Sequence, residues 1–386
     1  MAQQGVDETT RSPVDSHYRN SEDKALKIEI AAAGDIDKEH KERLEHQPRT
    51  KKFFIWRLTK PKWIGAIIGS VIVAIVLILL ILWFAVAGPI FQSNADKVKI
   101  TLNNLDILSV EKGDDVRTLG VNMSLRLTHD IHVHAKTDAT QAQLMFDGEA
   151  FASVDLPALD LKTGKQEYDL VISGNADVSN TDVFEKMASA LVTSQSITVE
   201  ASARLKAHAF GLSKSGIKFN RSLNVTALNN FETPEPVINK MTVKSCDSKT
   251  IQIDINATID NVALVGLNGI GALNLSLYYE QEYLGYALSL LPDLGIPRGP
   301  TQQLFNVVME NSTTHLPVIT KMLKGVAFGN SQFFLTGDSA YATEVGLLRE
   351  PLKDLNMSIS SKASLLSKVD LNPSGSKCDL IKLALG

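Results

Sequence analysis

Three histidines stand close together at positions 129, 132 and 134. On a strand, residues two apart share a face, so His132 and His134 could grip a metal if a third ligand came from afar, for example His208. The alternation argues otherwise. Ile131, Val133 and Ala135 occupy the apolar positions, which turns the imidazoles to solvent, where they would charge in an acidic compartment. No Gly-x-Ser-x-Gly elbow exists, since GLSKSG misses the spacing. KTGKQ lacks the preceding loop and the Ser or Thr of a phosphate-binding loop. No His-Glu-x-x-His or Cys-x-x-Cys occurs, and no carboxylate pair stands out from turn residues. The expectation is a protein that is not an enzyme and holds no metal or cofactor.

Two other residue types carry covalent chemistry. The chain has only two cysteines, Cys246 and Cys378, which excludes a disulfide-rich scaffold and any multi-cysteine metal site. They lie near the start and end of the second half. A bridge would close a long loop, worth about 4–5 kcal/mol on the loop-entropy estimate. Asn-x-Ser/Thr occurs at Asn122, Asn220, Asn224, Asn256, Asn274, Asn311 and Asn356. Asn122, Asn224 and Asn274 each sit between two apolar residues of an alternating run, so they should face solvent, where a glycan can attach.

All nine of these positions lie after one uncharged run. The 386 residues carry 39 Lys+Arg and 43 Asp+Glu, a net charge of −4, which argues against a nucleic-acid binder. Residues 1–48 hold 11 acidic and 7 basic side chains, and residues 49–62 hold six basic ones and no acid. From Trp63 to Ala95 there is no charge at all. The stretch 64–87, 24 residues, would be about 36 Å long as a helix, enough for a ~30 Å hydrocarbon core. It starts too far in and runs too long for a cleaved signal peptide. Basic residues precede it, so the positive-inside rule puts the N-terminus in the cytosol and the rest across the membrane. Arg57, Lys60, Lys62, Trp63 and Trp83 are the expected interface anchors. The basic strip would attract anionic lipids by about 1 kcal/mol per charge. The organisation expected is a disordered cytosolic tail with its basic strip (1–62) and a signal-anchor transmembrane helix (63–90). Residues 91–235 and 236–386 then form two repeats. The tail is too charged to bury a core, and its Asp35–Glu45 stretch could form a helix with no apolar stripe.

Beyond the run, period-2 alternation recurs, as in Val121/Met123/Leu125/Leu127, Ile197/Val199/Ala201, Ile251/Ile253/Ile255 and Leu273/Leu275/Leu277. Short alternating runs separated by Gly, Asp, Asn and Pro argue for antiparallel sheets packed face to face. NNFETPEPVIN, residues 229–239, interrupts them and sets a boundary near 235. The halves look like copies. VNMSLRL, QAQLMF, SVDLP, VFEKMASAL and SITVEASA in the first are answered by IQIDINATI, ALNLSLYY, ALSLLP, VITKMLKGV and SQFFLTGDSA in the second.

A tail, one span and such a strand-rich unit resemble the water-stress and group-2 late-embryogenesis-abundant type domain. The two-copy form with a basic-flanked anchor resembles a fungal membrane-protein family of unknown function, related to a vacuolar membrane protein implicated in terminating autophagy. The usual Asn-Pro after the second strand is replaced here by His129-Asp130 and Asp260-Asn261. The resemblance implies immunoglobulin-like or fibronectin-like β-sandwiches on the lumenal side. It also implies a vacuolar membrane, with the ER or plasma membrane as alternatives, and a part in regulating autophagy.

The fold class expected is therefore all-β: two tandem antiparallel β-sandwiches after one transmembrane helix. The function expected is a type II membrane glycoprotein presenting both domains to lumenal or membrane proteins. The alternative is a carrier for a lipid ligand, with a cavity lined by YLGYALSLLPDLG and LPVITKMLKGVAF. A structural wall-contact or stress-tolerance role is a third reading. The bilayer is a partner in all three. Protease treatment of sealed vesicles should remove only an N-terminal tag, and glycosidase should lower the mass by several kilodaltons. Digestion of the C-terminal region without a glycosidase shift would place the β-domains in the cytosol.

Overall fold

A computed structural model describes residues 51–53, 56–58, 60–110, 117–361 and 369–370, with side chains over 70–81, 88–110 and 117–361. The expected disordered tail, residues 1–50, lies outside them. The chain divides into two compact units, residues 1–77 and 78–386. In the first, β1 (Lys51–Phe53) and β2 (Trp56–Leu58) pair as a hairpin. Helix α1 runs Lys60–Asp96. Among the described residues no helix is long and apolar enough to cross a membrane. Of the run 64–87, only residues 70–81 have described side chains, and their aliphatics are exposed.

Strands dominate residues 99–361. The first copy comprises β3 (Lys99–Val110), β4 (Thr118–Ile131), β5 (Ala135–Thr137), β6 (Thr140–Phe146), β7 (Glu149–Leu156), β8 (Asp160–Leu161) and β9 (Gly164–Val178). Helix α2 (Thr181–Thr193) and the hairpin β10 (Ser196–Ala209) and β11 (Leu212–Thr226) complete it. The alternation reads as expected in β4. Leu119, Val121, Met123, Leu125 and Leu127 are buried, while Arg126 between them is exposed and bonded to Glu167 and Asp169 on β9. Asn180 caps α2 through Val183 N, and Val183, Phe184, Ala188, Leu191 and Val192 form its buried stripe.

The second copy comprises β12 (Val237–Cys246), β13 (Thr250–Asn261), β14 (Val265–Leu267), β15 (Asn274–Tyr279), β16 (Glu282–Ser289) and β17 (Gly299–Glu310). Helix α3 (Leu316–Phe328), β18 (Ser331–Thr336), helix α4 (Gly346–Lys353), β19 (Asn356–Ser361) and β20 (Val369–Asp370) follow. The strand order is β3-β4-β9-β7-β6-β10-β11 in the first copy and β12-β13-β17-β16-β15-β18-β19 in the second, the same path strand for strand. Helices α2 and α3 fall at the same place in it. The internal repeat therefore holds at the level of topology. The copies differ at the seam between the ends of this path. In the second, β19 meets β12 through the parallel pair Val237↔Ser360, which closes the path into a ring. In the first, β11 and β3 are not paired among the described residues.

Residues 78–386 form one compact unit that contains both copies. The residue-235 punctuation marks where one topology ends and the next begins. Past it, β14 of the second copy pairs in parallel with β3 of the first, and Arg298 forks onto Asp106 at 2.9 and 3.2 Å. Gly269 makes this approach feasible, because a β-carbon there would lie 2.1 Å from the carbonyl oxygen of Leu108. Gly269→Ala should destabilise the full chain by about 1–3 kcal/mol through overpacking at this junction. A thermal scan in detergent checks it, and an unchanged melting temperature would show that the junction yields freely.

Candidate functional site: an apolar cavity in the first copy

At the seam, where β11 runs beside β3 without ladder pairing, the end of α1 docks onto β11. The Gln92 amide binds the main chain of β11 in both directions: Lys218 N donates to Oε1 at 3.1 Å and Nε2 donates to Lys218 O at 2.9 Å. Arg221 on β11 donates from Nη2 to Ala95 O at 2.6 Å, a terminal carbonyl of the helix, and from Nε to Val98 O, just past its end, at 2.7 Å. Its guanidinium also stacks 4.4 Å from the centre of the Phe219 ring. The α1 end thus covers an edge that would otherwise lie open.

Behind it the first copy is hollow. A cavity of about 530 Å³ is lined by Phe91 and Ala95 of α1, Leu125, Leu127 and Ile131 of β4, and Leu205 and Ala207 of β10, among other apolar side chains. Asn94 and Thr137 are its only lining residues with polar side chains. Three lining residues, Leu79, Ile90 and Phe210, are themselves exposed, and they mark the mouth. A second apolar void of about 140 Å³ lies deeper, between the sheet, α2 and the Leu348–Leu352 turn of α4. Together they run along the inside of the first copy, from Ile131 to Leu119.

This corrects where the sequence placed a cavity. In YLGYALSLLPDLG, Leu284 and Ala287 are packed solid, and Tyr283, Tyr286, Leu288, Leu290, Leu291 and Leu294 face outward. In LPVITKMLKGVAF, Ile319, Met322 and Leu323 are core. Among the described residues, the second copy's interior shows a void of only about 10 Å³, beside Leu275, Phe305 and Met357. Both segments meet a closed ring, whereas the hollow copy is the one whose ring stays open. A sequence signal for it exists in the long β10–β11 hairpin, whose inward positions Ala207 and Ala209 are small, like Ala135 on the neighbouring β5.

The histidines divide. His132 and His134 are exposed, with His134 bonded to Asp160 and His208 to Asp138 at 2.9 Å. Lys206 and His208 hold the Asp138 carboxyl below its usual range. Among the described residues no group of three or more His, Cys, Asp or Glu is placed to hold a metal. His129, expected at the surface, is only 2% exposed. The parity of β4 turns it inward with Leu127 and Ile131, and its ring meets Tyr168 edge-on, centroids 6.1 Å apart.

The sequon asparagines also divide. Asn220, Asn224 and Asn356 are exposed. Asn122 and Asn274, expected to face solvent, are half-buried, because outward-facing neighbours cover them in part. Asn122 accepts from Ser173 at 2.7 Å, and Asn274 stands opposite Leu288. Asn256 is half-buried and accepts from Asn239 at 3.1 Å, and half-buried Asn311 donates to Asp247 O. Cys246 is buried and disulfide-bonded. Cys378 lies outside the described residues, as do the side chains of Arg57, Lys60, Lys62, Trp63 and Trp83.

Neither ring nitrogen of His129 has a hydrogen-bond partner, and burial pushes its pKa down, outweighing the pull of Asp130. The folded state then keeps the ring neutral, whereas the unfolded chain takes a proton near pH 6.5. Stability from this group is level above about pH 6.5 and is lost as pH falls below it, since the unfolded state then binds more protons. The melting temperature of the full chain in detergent should drop between pH 7.5 and 5.5, and His129→Phe should flatten that drop. Equal slopes for both proteins would show that His129 does not set it.

A family model described as "Protein of unknown function (DUF3712)" matches residues 149–277, from β7 into β15. That is a third of the chain, and the match crosses residue 235. No curated protein matches. Among solved structures, the periplasmic chaperone SfaE is similar at 9% identity, covering 68% of this chain and 97% of its own, with a TM-score of 0.18. An adhesin from Mobiluncus mulieris is similar at 11% identity, covering 64% and 83%, with a TM-score of 0.17. The Salmonella enterica SafA pilin with its SafB chaperone gives 9% identity, 53% and 94%, and a TM-score of 0.14. At such scores these likenesses carry no argument about fold or function.

Proposed function

We propose that this protein is a membrane-anchored, non-enzymatic module that holds an apolar ligand, the acyl chain of a lipid, inside its first copy. The observation that carries this reading is the 530 Å³ cavity, well within the ~300–1,000 Å³ range of ligand pockets. Left empty, its aliphatic walls would forgo dispersion contacts along their inner surface. Water is a poor filler, because each buried water needs two to four polar partners and the walls are aliphatic. A hydrocarbon chain meets both demands.

The anchor is the run 64–87, read as a signal-anchored span with the N-terminus in the cytosol. Its support is the uncharged sequence and the exposed aliphatics on every side of α1 over residues 71–81. A disulfide at Cys246 and sequons only beyond the run suit a lumenal side. We read each copy as a flattened β-sandwich whose two layers are one strand path folded on itself. The vacuolar membrane and a part in autophagy rest on the sequence resemblance alone. Protein contact is a second reading, favoured by the exposed Tyr286, Leu288, Leu290, Leu291 and Leu294 on and after β16.

Lipid extracted from the purified full chain and quantified by mass spectrometry tests the first reading. Near-stoichiometric lipid is expected, and Ala207→Trp, which fills the cavity, should lose most of it without lowering the melting temperature. Equal lipid in the variant, or none above a detergent blank in either protein, would reject it.

A further inference from the structure

We infer that the tip of the β10–β11 hairpin dips into the bilayer leaflet beside α1, so that the cavity mouth is a lateral portal for a lipid acyl chain. This rests on the ligand reading above and adds the ligand's source and its route.

The argument begins with the way hairpin and helix run together. Gln92 is bonded to Lys218. Four residues back along both elements, a β-carbon at Gly88 would lie 3.8 Å from Cε of Lys214. Further back still, Leu79 lines the same cavity as Leu212 and Phe210. The hairpin therefore runs beside α1 from Gln92 towards Leu79. Leu79 lies inside the uncharged run 64–87, well before its end at Ala87. If that run spans the bilayer, the Leu79 side of the mouth sits at hydrocarbon depth, and Phe210 is brought to it.

The tip is built for that depth. Phe210 and Gly211 form the turn in the left-handed region, φ 54° and 75°, which holds the ring away from the sheet. Phe210 is 81% exposed, the most exposed large hydrophobic residue among those described. In water such a ring is a liability, whereas in a leaflet it is an anchor. Behind the apolar tip, Arg204, Lys206, Lys214 and Lys218 form an exposed basic collar on the two strands. Two carboxylates lie by this collar, Asp138 bonded to Lys206 and Asp96 joined through Gln92 to Lys218. An apolar apex followed by cations matches a leaflet of hydrocarbon followed by anionic headgroups.

The route follows from the same geometry. An acyl chain that entered from water would first expose every methylene to solvent. A mouth bounded by Leu79, Ile90 and Phe210, held against the leaflet, lets the chain slide from one apolar medium into another, with its headgroup left at the basic collar. The apolar walls beyond then set no demand for a particular headgroup.

The test uses the full chain in vesicles of phosphatidylcholine with an anionic phospholipid. An environment-sensitive fluorophore is placed at Phe210→Cys and, separately, at Glu149→Cys, which lies at the opposite end of the sheet. The expected result is blue-shifted emission at position 210, quenched by nitroxides on the lipid chains, with water-like unquenched emission at position 149. Lipid content is measured on the same samples. Water-like emission at 210 with lipid still bound overturns the portal and leaves the ligand reading standing. Quenched emission at 210 with no lipid in the cavity also overturns it, since the hairpin is then an anchor only, and the ligand reading falls with it. As a second arm, Phe210→Asp should slow exchange of a fluorescent lipid several-fold at unchanged equilibrium content, and Phe210→Leu should restore it. Unchanged exchange in Phe210→Asp counts against the portal.

Discussion

The first copy depends on what happens at the β11–β3 seam. In the second copy the corresponding strands meet and the ring closes over a filled core. In the first, Gln92 and Arg221 dock the end of α1 onto β11 with charged and amide hydrogen bonds to main-chain atoms. The docked helix end lies beside a seam that has no ladder pairing, and the link between the hollow and α1 follows from that docking.

The copies therefore show one topology in two packing states. Their strand order is identical, and so is the position of α2 and α3. What differs is the segment between the last two strands of each path. In the first copy it is a tight turn at Phe210-Gly211 between two long strands, which extends the wall of the cavity. In the second it is a longer stretch, residues 337–355, containing α4, whose Leu348, Pro351 and Leu352 pack against the first copy's interior. The second copy thus acts as a solid buttress. It lends β14 to the edge of β3, locks Arg298 to Asp106, and lines the inner end of the hollow with α4.

Polar groups are distributed to match. The outer face over the cavity carries paired charges, with His134 and Lys136 on Asp160, and Lys206 and His208 on Asp138. These exposed pairs keep the surface wet and contribute little to stability. Inside, His129 is the exception, an imidazole without a partner in an apolar wall.

Much of this was legible in the residues alone, because it depends on local periodicity. Alternation in β4 and β13, the apolar stripes of α2 and α3, and the order in which they recur reflect which side of a strand or helix is apolar, and that is written in the chain. The uncharged run 64–87 was legible for the same reason. The cavity was not. The segments that looked most like a lining, residues 283–295 and 316–328, are apolar in the same way as a core, and periodicity cannot tell a residue facing a neighbour from one facing a void. His129 was misjudged because its register belongs with Leu127 and Ile131, and Asn274 keeps its outward register but is partly covered, which alternation does not tell. Whether a ring of strands closes is decided by partners far apart in sequence: Val237 with Ser360 in one copy, Gln92 with Lys218 in the other. The sequence by itself determined two copies of one strand pattern behind an apolar run. Tertiary structure decided which copy holds the hollow, because strand pairing closes the seam in one copy and a docked helix end lies beside the unpaired seam in the other.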